Sequence, residues 1–98
     1  MKIERTGMAG SLESSDVLVT IDPNVGRGVE VVLKSIAESR FGKQIRLLIE
    51  ETLSELEVVE ARVQVEDRSA LDCTIKARLV TAIHRAAKMS HPDWEHLS

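Results

Sequence analysis

Aromatic side chains are almost missing from this sequence of 98 residues: Phe41 and Trp94 stand alone, and there is no tyrosine. That scarcity leaves neither an aromatic cage for a quaternary cation nor a platform on which nucleobases stack. Cysteine is just as scarce. With Cys73 by itself, an intrachain disulfide is impossible and a zinc site of paired thiolates is excluded, so a reducing, cytoplasmic setting is expected. No uninterrupted apolar run approaches the length of a membrane span, and Met1-Lys2-Ile3-Glu4-Arg5-Thr6 leads into no apolar stretch of signal-peptide length. Neither sign of charge dominates. Thirteen Lys plus Arg against sixteen Asp plus Glu, a net charge of −3, provide no electrostatic footprint for phosphate backbones and no strong acidic field. Neither nucleic acid nor a membrane is an expected partner.

What is present is a hydrophobic fraction of 43%, enough for one domain with one core over residues 1–98 and too little chain for two. Gly7-Met8-Ala9-Gly10-Ser11-Leu12 and Asp16-Val17-Leu18-Val19-Thr20-Ile21 read as two strands, the second alternating Val17, Val19 and Ile21 on one face. Glu13-Ser14-Ser15-Asp16 then joins them as a hairpin turn, with Ser14 at its tip. The glycines and proline of Asp22-Pro23-Asn24-Val25-Gly26-Arg27-Gly28 mark a second turn. A third strand follows over residues 29–34, with Val29, Val31 and Leu33 in alternation.

Ser35-Ile36-Ala37-Glu38 has the spacing of a capping box and predicts a helix running to Glu57. Phe41, Ile45, Leu48, Ile49, Leu53 and Leu56 share one side of that helix, while Leu47 lies among its polar residues. Gly42 leaves two readings open, a helix that starts near Arg40 or a place of close packing. Val59, Ala61, Val63 and Val65 alternate with charged and polar residues and give the clearest strand signal. After the break at Asp67-Arg68-Ser69, Ser69 and Asp72 resemble the start of a second helix, with Leu71, Ile75, Leu79, Ala82, Ile83 and Ala86 facing a core and an end near Met89. Residues 90–98 form a polar C-terminal tail whose Trp94 is expected to fold back on the domain. Strand, strand, strand, helix, strand, helix is too poor in helices for a doubly wound parallel sheet. The expected class is α+β, a small sandwich of a mostly antiparallel sheet of about four strands with two helices packed on one face.

No group of residues organises a nucleophile. His84 falls on the polar side of the second helix, His91 and His96 lie in the tail without a third ligand, and no catalytic or metal-binding cluster is expected. Cys73 is expected to act as a small buried hydrophobe at the edge of the apolar side of its helix. The acidic residues from Glu50 to Glu60 read as a solvated face. Composition and pattern alone end at a small α+β module, for which a non-catalytic interaction or regulatory role, with Ser14 an ordinary turn serine, is the default expectation.

Read as a string, Met1-Lys2-Ile3 and then Ala9-Gly10-Ser11-Leu12-Glu13-Ser14 with Asp16 beyond resemble the opening of citrate lyase acyl carrier proteins. The likeness continues through Phe41-Gly42, Ile45-Arg46, Val63 and Val65 before Asp67, Ala70-Leu71-Asp72-Cys73, Ala77-Arg78-Leu79 and Trp94-Glu95, so it spans nearly the whole chain. The resemblance implies a covalent cofactor, a phosphoribosyl dephospho-CoA group joined by a phosphodiester to Ser14, with Ser15 as the competing hydroxyl and Glu13 and Asp16 as acidic flanks that repel the attached phosphates. It further implies that acetyl and citryl thioesters on this group are presented to an alpha (acyl transferase) and a beta (citryl lyase) subunit, which cleave citrate to oxaloacetate and acetate. The carrier would catalyse neither step. An attaching enzyme and an acetate-activating ligase complete the implied partners. Ser15 departs from the pattern, since a small residue such as glycine is expected there. A conventional phosphopantetheine carrier is the rival within the carrier class, but its Asp-Ser-Leu site is absent and only Ser69, before Ala70-Leu71, imitates it.

Overall fold

The computed structural model of the chain describes residues 1–35 and 38–87, with the side chains of 38–41 excepted. The elements are β1 (Gly7–Gly10), β2 (Val17–Asp22), β3 (Val29–Ser35), α1 (Glu38–Glu55), β4 (Ala61–Asp67) and α2 (Asp72–Ala86). They form the expected α+β arrangement, one four-stranded sheet in the order β1-β2-β4-β3. Two of its three pairings, β1 with β2 and β2 with β4, are antiparallel. β3 and β4 run parallel, because the α1 connection between them is a crossover and not a hairpin. β4 therefore inserts between β2 and β3, which are consecutive in the chain but not neighbours in the sheet.

The period of two in the sequence becomes two faces. Val17, Val19 and Ile21 of β2 lie in register with Asp67, Val65 and Val63 of β4, and all six point inward and are buried. Ile45, Ile49 and Leu53 of α1 and Ile75, Leu79, Ala82, Ile83 and Ala86 of α2 cover them. Burial of aliphatic groups of this size is worth roughly 1.5–3 kcal/mol apiece, so this layer supplies the main drive for folding. The other face carries Thr20, Gln64, Arg62, Glu30, Glu66 and Lys34, interspersed with Met8, Leu18 and Val32, and is mostly polar. Among the described residues no helix is long and apolar enough to cross a membrane.

Element ends follow backbone hydrogen bonding more than side-chain pattern. α1 runs through the buried Gly42 and stops at Glu55, two residues short of the expected end. There Glu57 adopts φ 56°, its N–H donates to Ser54 C=O (3.0 Å), and Val58 N–H donates to Leu53 C=O (2.9 Å). This is a Schellman stop, with its apolar contact between the buried Leu53 and Val58, formed without glycine. β4 begins at Ala61, and Val59 is left exposed. α2 ends at Ala86 because Ala87 leaves the helix and bridges to Ile3.

The predicted cap at Ser69 is corrected. Ser69 has φ 66°, the residue before the helix is Leu71 with no side-chain cap, and Leu71 is exposed despite its apolar phase. Asp67 organises this turn instead: its buried carboxylate accepts from Ala70 N–H (2.9 Å) and from Ser35 Oγ (2.8 Å), tying the end of β3 to the start of α2. α2 stops three residues before the expected end near Met89, because Ala87 takes an extended backbone; the capping box before α1 and the packing of Trp94 involve residues outside those described.

Candidate functional site

The connection between β1 and β2 is built in two steps. First, Asp16 N–H donates to Glu13 C=O (3.1 Å), which closes a four-residue turn with Ser14 and Ser15 at its centre. Ser15 takes φ 64°, the left-handed value required at the third position of a type II turn and normally filled by glycine. Second, Ser15 N–H donates to Arg68 C=O (2.7 Å) while Arg68 N–H donates to Asp16 C=O (2.9 Å). Two residues thus oppose one, a glycine-type β-bulge that extends the β2–β4 ladder past its last pair, Val17 with Asp67. The glycine expected at position 15 has a physical reason: the backbone there is left-handed. Ser14 and Ser15 are both exposed, and the hydrogen bonds that shape the turn leave the Ser14 side chain out.

Ser15→Gly is accordingly expected to stabilise the fold by roughly 0.5–1 kcal/mol, because glycine relieves the left-handed strain and only partly returns that gain as unfolded-chain entropy. Urea unfolding of the two proteins checks it, and an unchanged or lower midpoint would argue against the strain.

Asp16 is the hub of the loop. Its carboxylate accepts from Ser11 Oγ (2.7 Å), its own neighbour Val17 N–H (2.7 Å), and Arg78 through Nε and Nη2 (both 3.2 Å). Ser11 Oγ in turn accepts from Glu13 N–H (3.2 Å). The Ser11 hydroxyl first, then the Val17 amide and the Arg78 guanidinium, hold the Asp16 carboxyl below the usual carboxylate range despite partial desolvation. Asp16 pins the turn to α2, with Arg78 balancing its charge; Glu13 is exposed.

A pH dependence follows from this. A folded-state pKa below the unfolded value means that Asp16 stabilises the loop fully above the ordinary carboxylate range, and that this stability is lost as pH falls through the lowered folded value. The protection of the Val17 and Ser15 amides, taken relative to their intrinsic exchange rates, should therefore fall on acidification below about pH 4, and Asp16→Asn should remove that acid step. An Asp16→Asn protein with the same acid profile would contradict the hub.

The remaining sequence candidates disperse. Cys73 is exposed and not buried, because α2 turns its inward side through Ile75, Leu79 and Ala82, and a residue two positions before Ile75 points the opposite way. His84 is half-buried on α2, and among the described residues no cluster has the composition of a metal site. Leu47 is exposed, as expected. Ser69 lies in a left-handed turn and not at a helix start, so it does not reproduce the site of a phosphopantetheine carrier. Sequence reading passed over Arg78 and Arg68 as site residues. Arg78 reads as a polar helix position and Arg68 as part of the break after the strand, and only the register of β2 with β4 and the packing of α2 bring them to the serine turn.

Comparison with known proteins places this geometry in a lineage. The family described as "Malonate decarboxylase delta subunit (MdcD)", an ACP family, matches residues 4–86. A citrate lyase acyl carrier protein of Streptococcus mutans serotype c is 53% identical over 97 residues, covering 99% of this chain and 95% of that protein. The citrate lyase acyl carrier protein of Streptococcus equi subsp. equi is 47% identical over the same shares. Among solved structures, a chain of a Pseudomonas malonate decarboxylase hetero-tetramer in complex with malonate superposes with a TM-score of 0.72 at 13% identity, over 89% of this chain and 93% of that one. At that identity the superposition speaks for a shared fold.

Proposed function

Because the chain belongs to the citrate lyase acyl carrier protein family, we propose that it is the carrier subunit of a citrate lyase and that Ser14 Oγ bears a phosphoribosyl dephospho-CoA group through a phosphodiester. When attached, that group supplies a thiol on a long flexible arm, on which acyl groups are held as thioesters. The observation that carries the reading is an exposed hydroxyl at the tip of a turn that is itself held rigidly from three sides, by β4, by Ser11 and by Arg78. A modifying enzyme needs access to that oxygen, and the finished arm needs a fixed root from which to sweep. Among the described residues the Ser14 hydroxyl has no hydrogen-bond partner, which fits a residue that is acted upon.

The chain's own part in turnover is then positional. By holding one end of the arm, it keeps the thiol at high local concentration near both the acyl transferase and the citryl lyase subunit, so that each encounter is effectively intramolecular. Acetate activation by a separate ligase loads the arm. The mostly polar outer face of the sheet, with Met8 and Val32 exposed on it, and the exposed Glu13 are open to such partners. The second reading is a carrier for a malonate decarboxylase, favoured by the family description and by the shared fold. The 53% identity to a citrate lyase carrier weighs against it.

Intact mass of the chain from cells that also make the attaching enzyme should exceed the bare mass by one prosthetic group, and the modified chain should restore citrate cleavage to carrier-depleted citrate lyase. A bare mass would remove the covalent reading. Restoration of malonate decarboxylase alone would choose the second.

A further inference from the structure

The bulge fixes one more residue beside the attachment point. The Arg68 backbone is bonded to both residues that follow Ser14, through Ser15 N–H to Arg68 C=O (2.7 Å) and Arg68 N–H to Asp16 C=O (2.9 Å). Opposed residues in such a ladder lie about 5.5 Å apart at Cα, so an arginine side chain is long enough to reach a group carried on the next residue. The Arg68 side chain is exposed and has no ion pair among the described residues. Of the other charges near the turn, Asp16 is matched by Arg78, Glu66 stands in register with Lys34, and Glu13 is exposed.

We propose, on the reading that Ser14 is modified, that the Arg68 guanidinium binds the phosphodiester at the root of the prosthetic arm. A phosphodiester is a monoanion with two unbridged oxygens, and the planar fork of a guanidinium matches two such acceptors in a way that an ammonium does not. The Ser11 and Arg78 bonds leave Asp16 unable to compete strongly for Arg68, and Glu13, the other carboxylate of the turn, is exposed and makes no ion pair among the described residues. Arg68 thus orients the first segment of the arm across the end of the sheet, while the thiol end remains mobile.

Phosphorus NMR of the modified chain tests this. In the natural sequence the phosphodiester resonance should shift as sodium chloride is raised and the ion pair is screened. In Arg68→Gln it should sit at the high-salt position throughout, and in Arg68→Lys the salt-dependent shift should be partly restored. The mass gained on modification and the thermal midpoint should be the same in all three, since Arg68 is exposed and its structural bonds are made by its backbone. A modified Arg68→Gln protein whose resonance follows salt as the natural one does would overturn the inference and leave the attachment reading standing. A natural chain that gains no phosphorus would remove both.

Discussion

A Ser14→Ala chain made together with its attaching enzyme is expected to keep the mass of the bare sequence, while Ser15→Ala and Ser15→Gly chains gain the full prosthetic group. The two hydroxyls are adjacent and both exposed, so accessibility alone does not separate them. Their backbones do. Ser14 occupies the second position of the turn and makes none of its shaping bonds, whereas Ser15 has φ 64° and an N–H bound to Arg68. An enzyme that aligns the serine oxygen must also clear the neighbouring main chain, and Ser15 is backed by the β4 end of the sheet. The Ser15→Gly variant makes the comparison clean, because glycine suits the left-handed position and any loss of modification would have to come from the missing hydroxyl. Intact mass reads the result as all or nothing. A modified Ser14→Ala with a bare Ser15→Ala would move the assignment to Ser15, and modification of neither would show that Ser15 is read by the enzyme as well.

Much of the fold was legible because burial has a period. The alternation in residues 17–21 and 61–65 and the helical spacing from Ile45 to Leu53 and from Ile75 to Ala86 each matched a buried face. What escaped was whatever depends on a second segment. The parallel pairing of β3 with β4 is invisible in either strand. Glu57 and Ser69 hold positive φ without being glycine, so the stops they form left no compositional mark. Cys73 reads as the edge of the apolar side of its helix, and that edge is exposed. In the site, Ser14 at a turn was legible from Glu13-Ser14-Ser15-Asp16, but Asp16 read as a repelling flank because its four hydrogen bonds come from Ser11, Val17 and a helix 62 residues away. The glycine-like position of Ser15 was noticed as a departure from a pattern; the bulge against Arg68 supplies its cause.

The largest stability effect is expected from the two glycines that frame β1. A Cβ on Gly10 would stand 1.8 Å from Val17 C=O oxygen and 2.9 Å from its carbon, at φ 96°, and one on Gly7 would stand 2.3 Å from the Ala82 carbonyl oxygen and 2.6 Å from Ala86 N. All of these are main-chain atoms, so the neighbour cannot rotate away and the strand or helix itself has to shift. Gly26 provides the comparison, with φ 76° but open space around its Cβ position. Gly26→Ala therefore reports left-handed strain by itself, about 1 kcal/mol. Gly10→Ala adds an overpacking cost of roughly 1–3 kcal/mol or more, a large part of the ~5–15 kcal/mol that holds a domain of this size together. At about 4–8 °C per kcal/mol, the melting point of Gly10→Ala should fall at least twice as far as that of Gly26→Ala. The consequences for the site should also divide. Gly10 lies at the foot of the serine turn, where Ser11 N–H meets Val17 C=O, so its substitution should disturb the Ser11–Asp16 bond and slow attachment at Ser14 even in the folded fraction. Gly7 lies under α2 at the other end of β1, and Gly7→Ala should lower stability while leaving attachment to the folded protein intact. Equal melting points for Gly10→Ala and Gly26→Ala would contradict the close approach of β1 to Val17.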